Sequence, residues 1–467
     1  MSRFALLHCG HLGQVPSAGP LYTSRLSSIG NGDYLFVSKR EILSIHNEYP
    51  ATTTVEECSG KSGGHTTRPI PHQVSCVAFP APSASPIADE YMSLATFTQA
   101  DGTLGVGAVD SHGTVDVYVS PSVPVTGLSY RFQASHREAL QGPIEPSWAG
   151  VVVGATGTDQ FKIAVAHSAS RSVAFFDGPA CTRAIYTISP PTQIVGLPHL
   201  GPACDVVAVA EAGGAVSAWD ARVAEKRGCI ARVGLSTTPL YALTSRGPLL
   251  AAGGADRGVH TCDLRTWHCC GRWPQATKYE ITGLHFSETR PESLIYAASL
   301  DHELTCGPWQ GFQGRTAPSG IDKLHRGCQG DSRWLGTAIE RQTTPEGGDV
   351  VCGVTERGTI FVMRHAERVV MGDDDAKKSV GRAHTCLFGD EKEKGGVPRR
   401  HNHPASPVGE PAAQQTATAQ VKRARQDRKH GKWTPAEPRG NPVPEAEPGQ
   451  TPTTTTTAEA KQPAAQE

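Results

Sequence analysis

Leu249-Leu250-Ala251-Ala252-Gly253-Gly254-Ala255-Asp256-Arg257-Gly258-Val259-His260-Thr261-Cys262-Asp263-Leu264-Arg265 is the stretch that decides the fold. An apolar run meets an Ala-Asp-Arg-Gly turn, and an alternating stretch then closes on Asp-Leu-Arg. Strand, tight turn and strand in that order predict a β-hairpin. The same arrangement stands one period upstream in Val206–Arg222, which ends Ser-Ala-Trp-Asp-Ala-Arg.

Further copies align on the strand after the turn. Each has an apolar residue and, three positions on, a further strand position: Ile42/Ile45, Val115/Tyr118, Val173/Phe176, Val216/Trp219, Val259/Cys262, Leu304/Gly307 and Ile360/Met363. Phe176, Trp219 and Cys262 stand 43 residues apart, and each is followed by an aspartate, Asp177, Asp220 and Asp263. Gly113, Gly214, Gly258 and Gly358 precede the strand in four copies. Glycine at that place predicts a tight turn that needs a positive φ. A fixed period of this length, one supersecondary unit per repeat, predicts a repeat architecture whose units bury their faces against one another.

The repeat resembles the WD40 family, on the residues Trp219-Asp220-Ala221-Arg222, Cys262-Asp263-Leu264-Arg265 and the degenerate Phe176-Asp177. The resemblance covers about residues 30–366. It implies an all-β, seven-bladed β-propeller whose blades are four-stranded antiparallel sheets around a channel. The Gly-His dipeptide that opens a repeat in that family occurs only at Gly10-His11 and Gly64-His65. The family's buried His–Asp–Ser/Thr–Trp network is therefore expected to be missing from most blades, with packing in its place.

The chain divides accordingly. Residues 1–30 form an N-terminal segment in which 4–10 suit an outer strand closing the ring against the last blade. Residues 31–370 form the propeller with loop insertions. Val74–Phe79 reads as the start of the second blade, and 120–147 as a long proline-containing connection. Residues 371–467 form a disordered low-complexity tail: Asp373-Asp374-Asp375, polar runs and Thr453–Thr457 leave too few apolar residues to bury a core.

Composition narrows the function classes. Lys and Arg total 44 against 45 Asp and Glu, so bulk charge singles out neither nucleic acid nor membrane. No apolar run approaches the roughly 18 residues of a membrane span, so no membrane role is expected. The 13 cysteines lack a pairing pattern and read as reduced thiols of an intracellular protein, Cys76, Cys262 and Cys352 among them in strands. His260, Cys262, His268, Cys269 and Cys270 lack the paired spacing of a zinc site, so no metal and no cofactor is expected. Gly60-Lys61-Ser62-Gly63-Gly64 formally matches a nucleophile elbow, but its flanks are polar loop rather than strand and helix. Asp110, Asp256 and Asp301 sit where aspartate bonds its own turn. No catalytic set emerges, and the chain reads as a non-catalytic scaffold for protein partners in a multisubunit complex.

Three features suggest where partners bind. First, Leu249–Gly253, Asp256 and Cys262-Asp263-Leu264-Arg265 resemble the WD40 subset that docks on the adaptor of cullin-4 ubiquitin ligases, with Cys262 in place of the tryptophan. The fourth blade supplies Trp219, Asp220 and Arg222 but matches less upstream. The resemblance implies that Arg222 or Arg265 pairs with adaptor carboxylates, for which a planar guanidinium fork is suited. The alternative is that Asp-x-Arg closes a blade by local hydrogen bonds. Second, Trp267, Trp273 and Trp309 lie just past blade ends and read as interface aromatics, or as packing between blades. Third, Lys422, Arg423 and Arg425 match a short basic nuclear-import signal, with the nucleus favoured over the cytoplasm. A solvated charge run and weak RNA contact through the basic tail are the alternatives. A peptide or RNA reader using the channel is a further reading; it calls for a basic or aromatic ring at one mouth.

Overall fold

The structure, a computed structural model, describes residues 3–12, 16, 24–46, 75–80, 90–99, 101–121, 125, 127–136, 140, 144–155, 160–202, 204–223, 228–309, 327–341 and 348–366. Seven four-stranded antiparallel sheets make up the fold, and each sheet is one blade. The first strands of the blades, in order, are Leu26–Gly30, Tyr91–Thr98, Ala149–Ala155, Pro191–Gly196, Leu240–Arg246, Ile281–Phe286 and Trp334–Arg341. Each touches the first strand of the next, so together they close a ring around the channel. The third strands are Glu41–His46, Thr114–Ser120, Ser172–Asp177, Ala215–Asp220, Val259–Asp263, Glu303–Pro308 and Thr359–Ala366. They contain the seven aligned copies of the repeat. The architecture is a seven-bladed β-propeller.

The core lies between blades rather than within them. Seven buried clusters occur, and each joins two consecutive blades. The second strand of blade 4 illustrates the cause. Its even residues Val206, Ala208 and Ala210 pack toward blade 5, and its odd residues Val207 and Val209 pack toward blade 3. A strand covered on both faces must be apolar at successive positions, which is why these segments read as continuous apolar runs. Large side chains need partners cut to fit. Trp334 is fully buried, meets Phe361 edge-on at 5.5 Å, and lies where a β-carbon on Gly353 would stand only 2.4 Å from its ring.

The last blade is completed from the other end of the chain. Arg3–His11 pairs antiparallel with Thr359–Ala366, from Arg3 opposite Ala366 to His11 opposite Thr359, with a bulge between Leu6 and His8. The ring is thus fastened by main-chain hydrogen bonds between the two ends of the propeller, and Thr359–Ala366 is covered on its outer side.

Strand direction sorts the loops onto two faces. Second-to-third turns and blade-to-blade connections share one, the linker face. First-to-second and third-to-fourth turns share the other, which carries the Asp-x-Arg endings. On the linker face, Gly113, Gly214 and Gly358 have φ of 77°, 79° and 77°. Gly258 does not; the positive φ of that turn falls on Arg257, at 63°. The expected turn aspartates do bond their own loops: Asp110 accepts from the N–H groups of His112 and Thr114, Asp256 from Gly258 and Asp301 from Glu303.

Outer strands differ most from the sequence reading. Ser75–Pro80 pairs with Glu41–His46 and is the outermost strand of blade 1, not the start of blade 2. The connection 120–147 contains Ser129–Ser135, the outermost strand of blade 2. Outer strands of blades 3, 4 and 5 share a bulge at which Cys181, Cys229 and Cys269 lie opposite Phe176, Trp219 and Cys262. Cys229 and Cys269 each donate S–H to the carbonyl two residues on. Cys181, Cys229, Cys269 and Cys270 are exposed, whereas Cys204, Cys262, Cys306 and Cys352 are buried. The expected tail, the loop 47–74 with Gly60–Gly64, and Lys422, Arg423 and Arg425 lie outside the described residues.

Burial also sets an acid limit on the fold. Between blades 2 and 3, His136 and His167 are both fully buried among serines, with Nε2 of His136 2.7 Å from Ser172 Oγ and Nε2 of His167 3.1 Å from Ser147 Oγ. Desolvation, with some repulsion from His167, pushes His136 down to about 3. Desolvation also lowers His167, and brings His285 to about 4. Below about pH 6.5 the unfolded chain takes up protons that these imidazoles refuse in the fold, so stability present above that value is lost as pH falls. At pH 5 the loss from His136 alone is about 2 kcal/mol. Urea titrations at pH 7.5 and 5 test this: His136→Gln should flatten the difference, and an unchanged pH slope would contradict it.

Candidate functional site

The two Asp-x-Arg endings fall on the same face of adjacent blades, 4 and 5. In each, the aspartate takes the arginine's backbone N–H and its side-chain fork. Asp220 Oδ1 accepts from Arg222 N and Nε at 2.9 Å each, and Oδ2 accepts from Nη2 at 2.7 Å. Asp263 holds Arg265 in the same way, with N and Nε at 2.9 and 3.0 Å from Oδ1 and Nη2 at 2.5 Å from Oδ2. The hydrogen bonds and charge of Arg265 lower the Asp263 carboxyl to about 2, and Arg222 lowers Asp220. The arginines remain open to solvent, with side-chain exposures of 49% for Arg222 and 68% for Arg265. Each fork is therefore closed on its own blade yet presented outward, with its aliphatic stem in a fixed direction.

Arg183, which the sequence reading did not single out, shapes the blade 4 ending from the neighbouring blade. It projects from the outer strand of blade 3, and its Nη1 donates to the carbonyl oxygens of Asp220, Ala221 and Val223. Lys162 of blade 3 adds an ion pair to Asp205 at 2.6 Å. Trp219 turns inward: its Nε1 donates to Ser217 Oγ at 2.9 Å, and its ring leans on the cluster between blades 3 and 4. Hence Trp219 supports the ending from behind, while Asp220 and Arg222 form its surface.

Of the three tryptophans proposed as interface anchors, two are not at the surface. Trp273 is 2% exposed and Trp309 7% exposed, and both belong to the cluster between blades 5 and 6. Trp273 ends an outer strand instead of following it, and Trp309 Nε1 is bonded to the carbonyl of Pro291. Trp267 is half-buried, with a φ of 56° just past Arg265, and packs against the cluster between blades 4 and 5.

The WD40-type polar network is present only in pieces. Blade 4 has the Trp219–Ser217 bond, and blade 5 has His260 Nε2 2.7 Å from Asp256 Oδ2, which also takes Ser236 Oγ. Other blades use different groups, such as Tyr91 donating to Asp116 at 2.6 Å, with Tyr118 3.1 Å from Tyr91. Packing is general, and the polar device varies blade by blade.

A cavity of about 250 Å³ opens at the channel mouth on the Asp-x-Arg face. The ends of four first strands wall it with Ser27, Ser28, Thr244, Ser245, His285 and Ile339. Its two charged side chains, Arg246 and Glu288, are paired at 2.6 Å. His285 Nε2 lies 2.9 Å from Thr337 Oγ1. This cavity is hydroxyl-lined and charge-balanced. No motif marks these residues in sequence, because they come from strands far apart in the chain.

Seven blades, inter-blade cores, Trp-Asp and Asp-x-Arg endings at a 43-residue period and closure by an N-terminal outer strand define a WD40-type propeller. No family model matches the sequence, and no curated protein matches it. Solved structures match in fold. The chain is similar to Raptor of Chaetomium thermophilum, with 11% identity, a TM-score of 0.55 and coverage of 79% of this chain and 29% of that one. It is similar also to the WD40 domain of Neurospora crassa Pan2, with 12% identity, a TM-score of 0.50 and coverage of 79% and 98%. At these identities the likeness is one of fold. The chain spans less than a third of the Raptor chain's length.

Proposed function

We propose that the protein is a non-catalytic scaffold that holds protein partners in a multisubunit assembly. One observation carries this reading. Among the described residues the blades close a ring whose cores lie between blades, and exposed arginines and large apolar side chains stand on its turns and outer strands. Such a surface offers fixed anchors for protein association. Neighbours of the same fold support an interaction role. Residence in the nucleus and a basic import signal at Lys422, Arg423 and Arg425 are part of the proposal.

A second reading is that the Asp-x-Arg face engages the adaptor of a cullin-4 ubiquitin ligase. The outward-held Arg222 and Arg265 favour it, since their stems are positioned before any partner arrives. Affinity purification from the native cell, with wild type beside the Arg222→Ala/Arg265→Ala double variant, separates the two. Both arginines are exposed, so the double variant should unfold at close to the wild-type urea concentration. A fixed set of partners retained by the variant supports the scaffold. Adaptor recovered with wild type and lost with the variant replaces it with the ligase reading. Absence of any stoichiometric partner overturns both.

A further inference from the structure

We propose that the linker face of blades 3 to 5 docks an acidic segment of another protein that carries apolar side chains. The inference rests on the scaffold reading and names the chemistry of one partner.

It begins with a conformational oddity. In blades 2, 4 and 7 the second-to-third turn puts glycine in the left-handed region, at Gly113, Gly214 and Gly358. In blades 3 and 5 the residue there is an exposed arginine, Arg171 at φ 48° and Arg257 at φ 63°. A β-carbon is strained in that region and glycine is not. The turn would be served better by the residue that three other blades use, so the guanidinium is the feature that needs explaining.

Each arginine has an exposed tyrosine beside it. The Arg171 carbonyl accepts the N–H of Thr187 at 2.7 Å, which sets Arg171 next to Tyr186 and Ile188. These two side chains are 68% and 67% exposed. In blade 5 the Arg257 carbonyl accepts the N–H of Ala276 at 2.8 Å, and Arg257 Nη1 donates to the Lys278 carbonyl at 3.4 Å. The Lys278 ammonium lies 5.3 Å from the ring centroid of exposed Tyr279. Two knobs with exposed cations and apolar side chains result, and the second-to-third turn of the blade between them, Ala212-Gly213-Gly214, carries nothing longer than a methyl group. Of the nearby carboxylates, Asp256 holds His260, Ser236 and the N–H of Gly258, Glu303 accepts the N–H of Lys278, and half-buried Glu280 follows Tyr279.

Cationic knobs flanking a low saddle complement an extended acidic chain. Exposed Tyr186, Ile188 and Tyr279 would take its apolar side chains. An aliphatic side chain such as Ile188 gives no face for a base to stack on, so a protein segment fits better than single-stranded nucleic acid.

The test uses the full chain and a fluorescent peptide of glutamates interspersed with leucine and phenylalanine, beside the same peptide with glutamine for glutamate and an oligouridine. Arg171→Gly/Arg257→Gly removes both arginines and leaves Lys278, while relieving the left-handed strain, so this variant should melt at or above the wild-type temperature. The acidic peptide should bind wild type with strong salt dependence. It should bind the variant roughly tenfold more weakly. Tyr186→Ser should weaken it severalfold, and the glutamine peptide should bind poorly. No peptide binding, equal binding by the variant, or tighter binding of oligouridine overturns the proposal. In the native purification, partners retained in full by this variant exclude the surface and leave the scaffold standing; no partners with wild type remove the scaffold itself.

Discussion

Removal of residues 1–11 should cost the propeller its cooperative, monomeric fold. The deleted segment supplies the fourth strand of blade 7, and its eight register pairs with Thr359–Ala366 are the longest main-chain pairing, among the described residues, that joins the two ends of the ring; the Ser24–Gly336 bridge and the Leu12 N–H to Gly358 carbonyl bond remain. Without it, Thr359–Ala366 becomes an open edge, a template for pairing with another chain. Opening the ring also loosens the clusters that join blade 7 to blades 6 and 1, because each depends on neighbouring blades staying in register. The expected result is a fall in melting temperature on the order of 10 °C, with soluble aggregates on size-exclusion chromatography. A monomer melting within about 2 °C of wild type would show that the inter-blade cores close the disc unaided.

Asp349→Ala should be the most damaging single substitution. Asp349 opens the second strand of blade 7 and is 1% exposed, yet its carboxylate accepts five hydrogen bonds from blade 6. Oδ1 takes the N–H groups of Glu288 and Thr289 at 3.1 and 2.9 Å and Thr289 Oγ1 at 3.0 Å. Oδ2 takes Ser287 Oγ at 2.5 Å and Tyr296 Oη at 2.8 Å. Truncation leaves those donors without their acceptor beside a dry core, an expected loss of about 3–5 kcal/mol in urea unfolding. Asp349→Asn keeps one acceptor and turns an amide toward donors, and should cost about half as much. A loss under about 1 kcal/mol for the alanine variant would mean that water replaces the carboxylate there.

These two predictions rest on different kinds of information. Blade count and the place of every third strand were legible from residue order alone, from Ile42/Ile45 to Ile360/Met363. A strand buried on both faces writes its burial into a short continuous run, and its turn follows within a few residues, so both are local properties. The Asp-x-Arg endings were legible for the same reason, since Asp220–Arg222 and Asp263–Arg265 close over two residues.

Outer strands were less legible. Ser129–Ser135 and His268–Trp273 have one face toward solvent and begin at a bulge, so their alternation is weak and shifted by one residue. This is why Trp273 read as a surface residue beyond a blade end when it closes the core between blades 5 and 6. Arg183 showed no pattern at all, because its three acceptors lie about 40 residues away on the next blade.

Sequence by itself thus determined the repeating unit and its number, because pairing between adjacent strands and the turns that permit it are encoded within a dozen residues. Only the tertiary structure decided what those units present to the outside. Ser28 meets Glu340 from 312 positions away, Asp349 gathers the turn of the preceding blade, and Arg171 and Arg257 come to share a face across blade 4. Contacts of that range depend on the twist and closure of the whole ring, and no local window of sequence contains them.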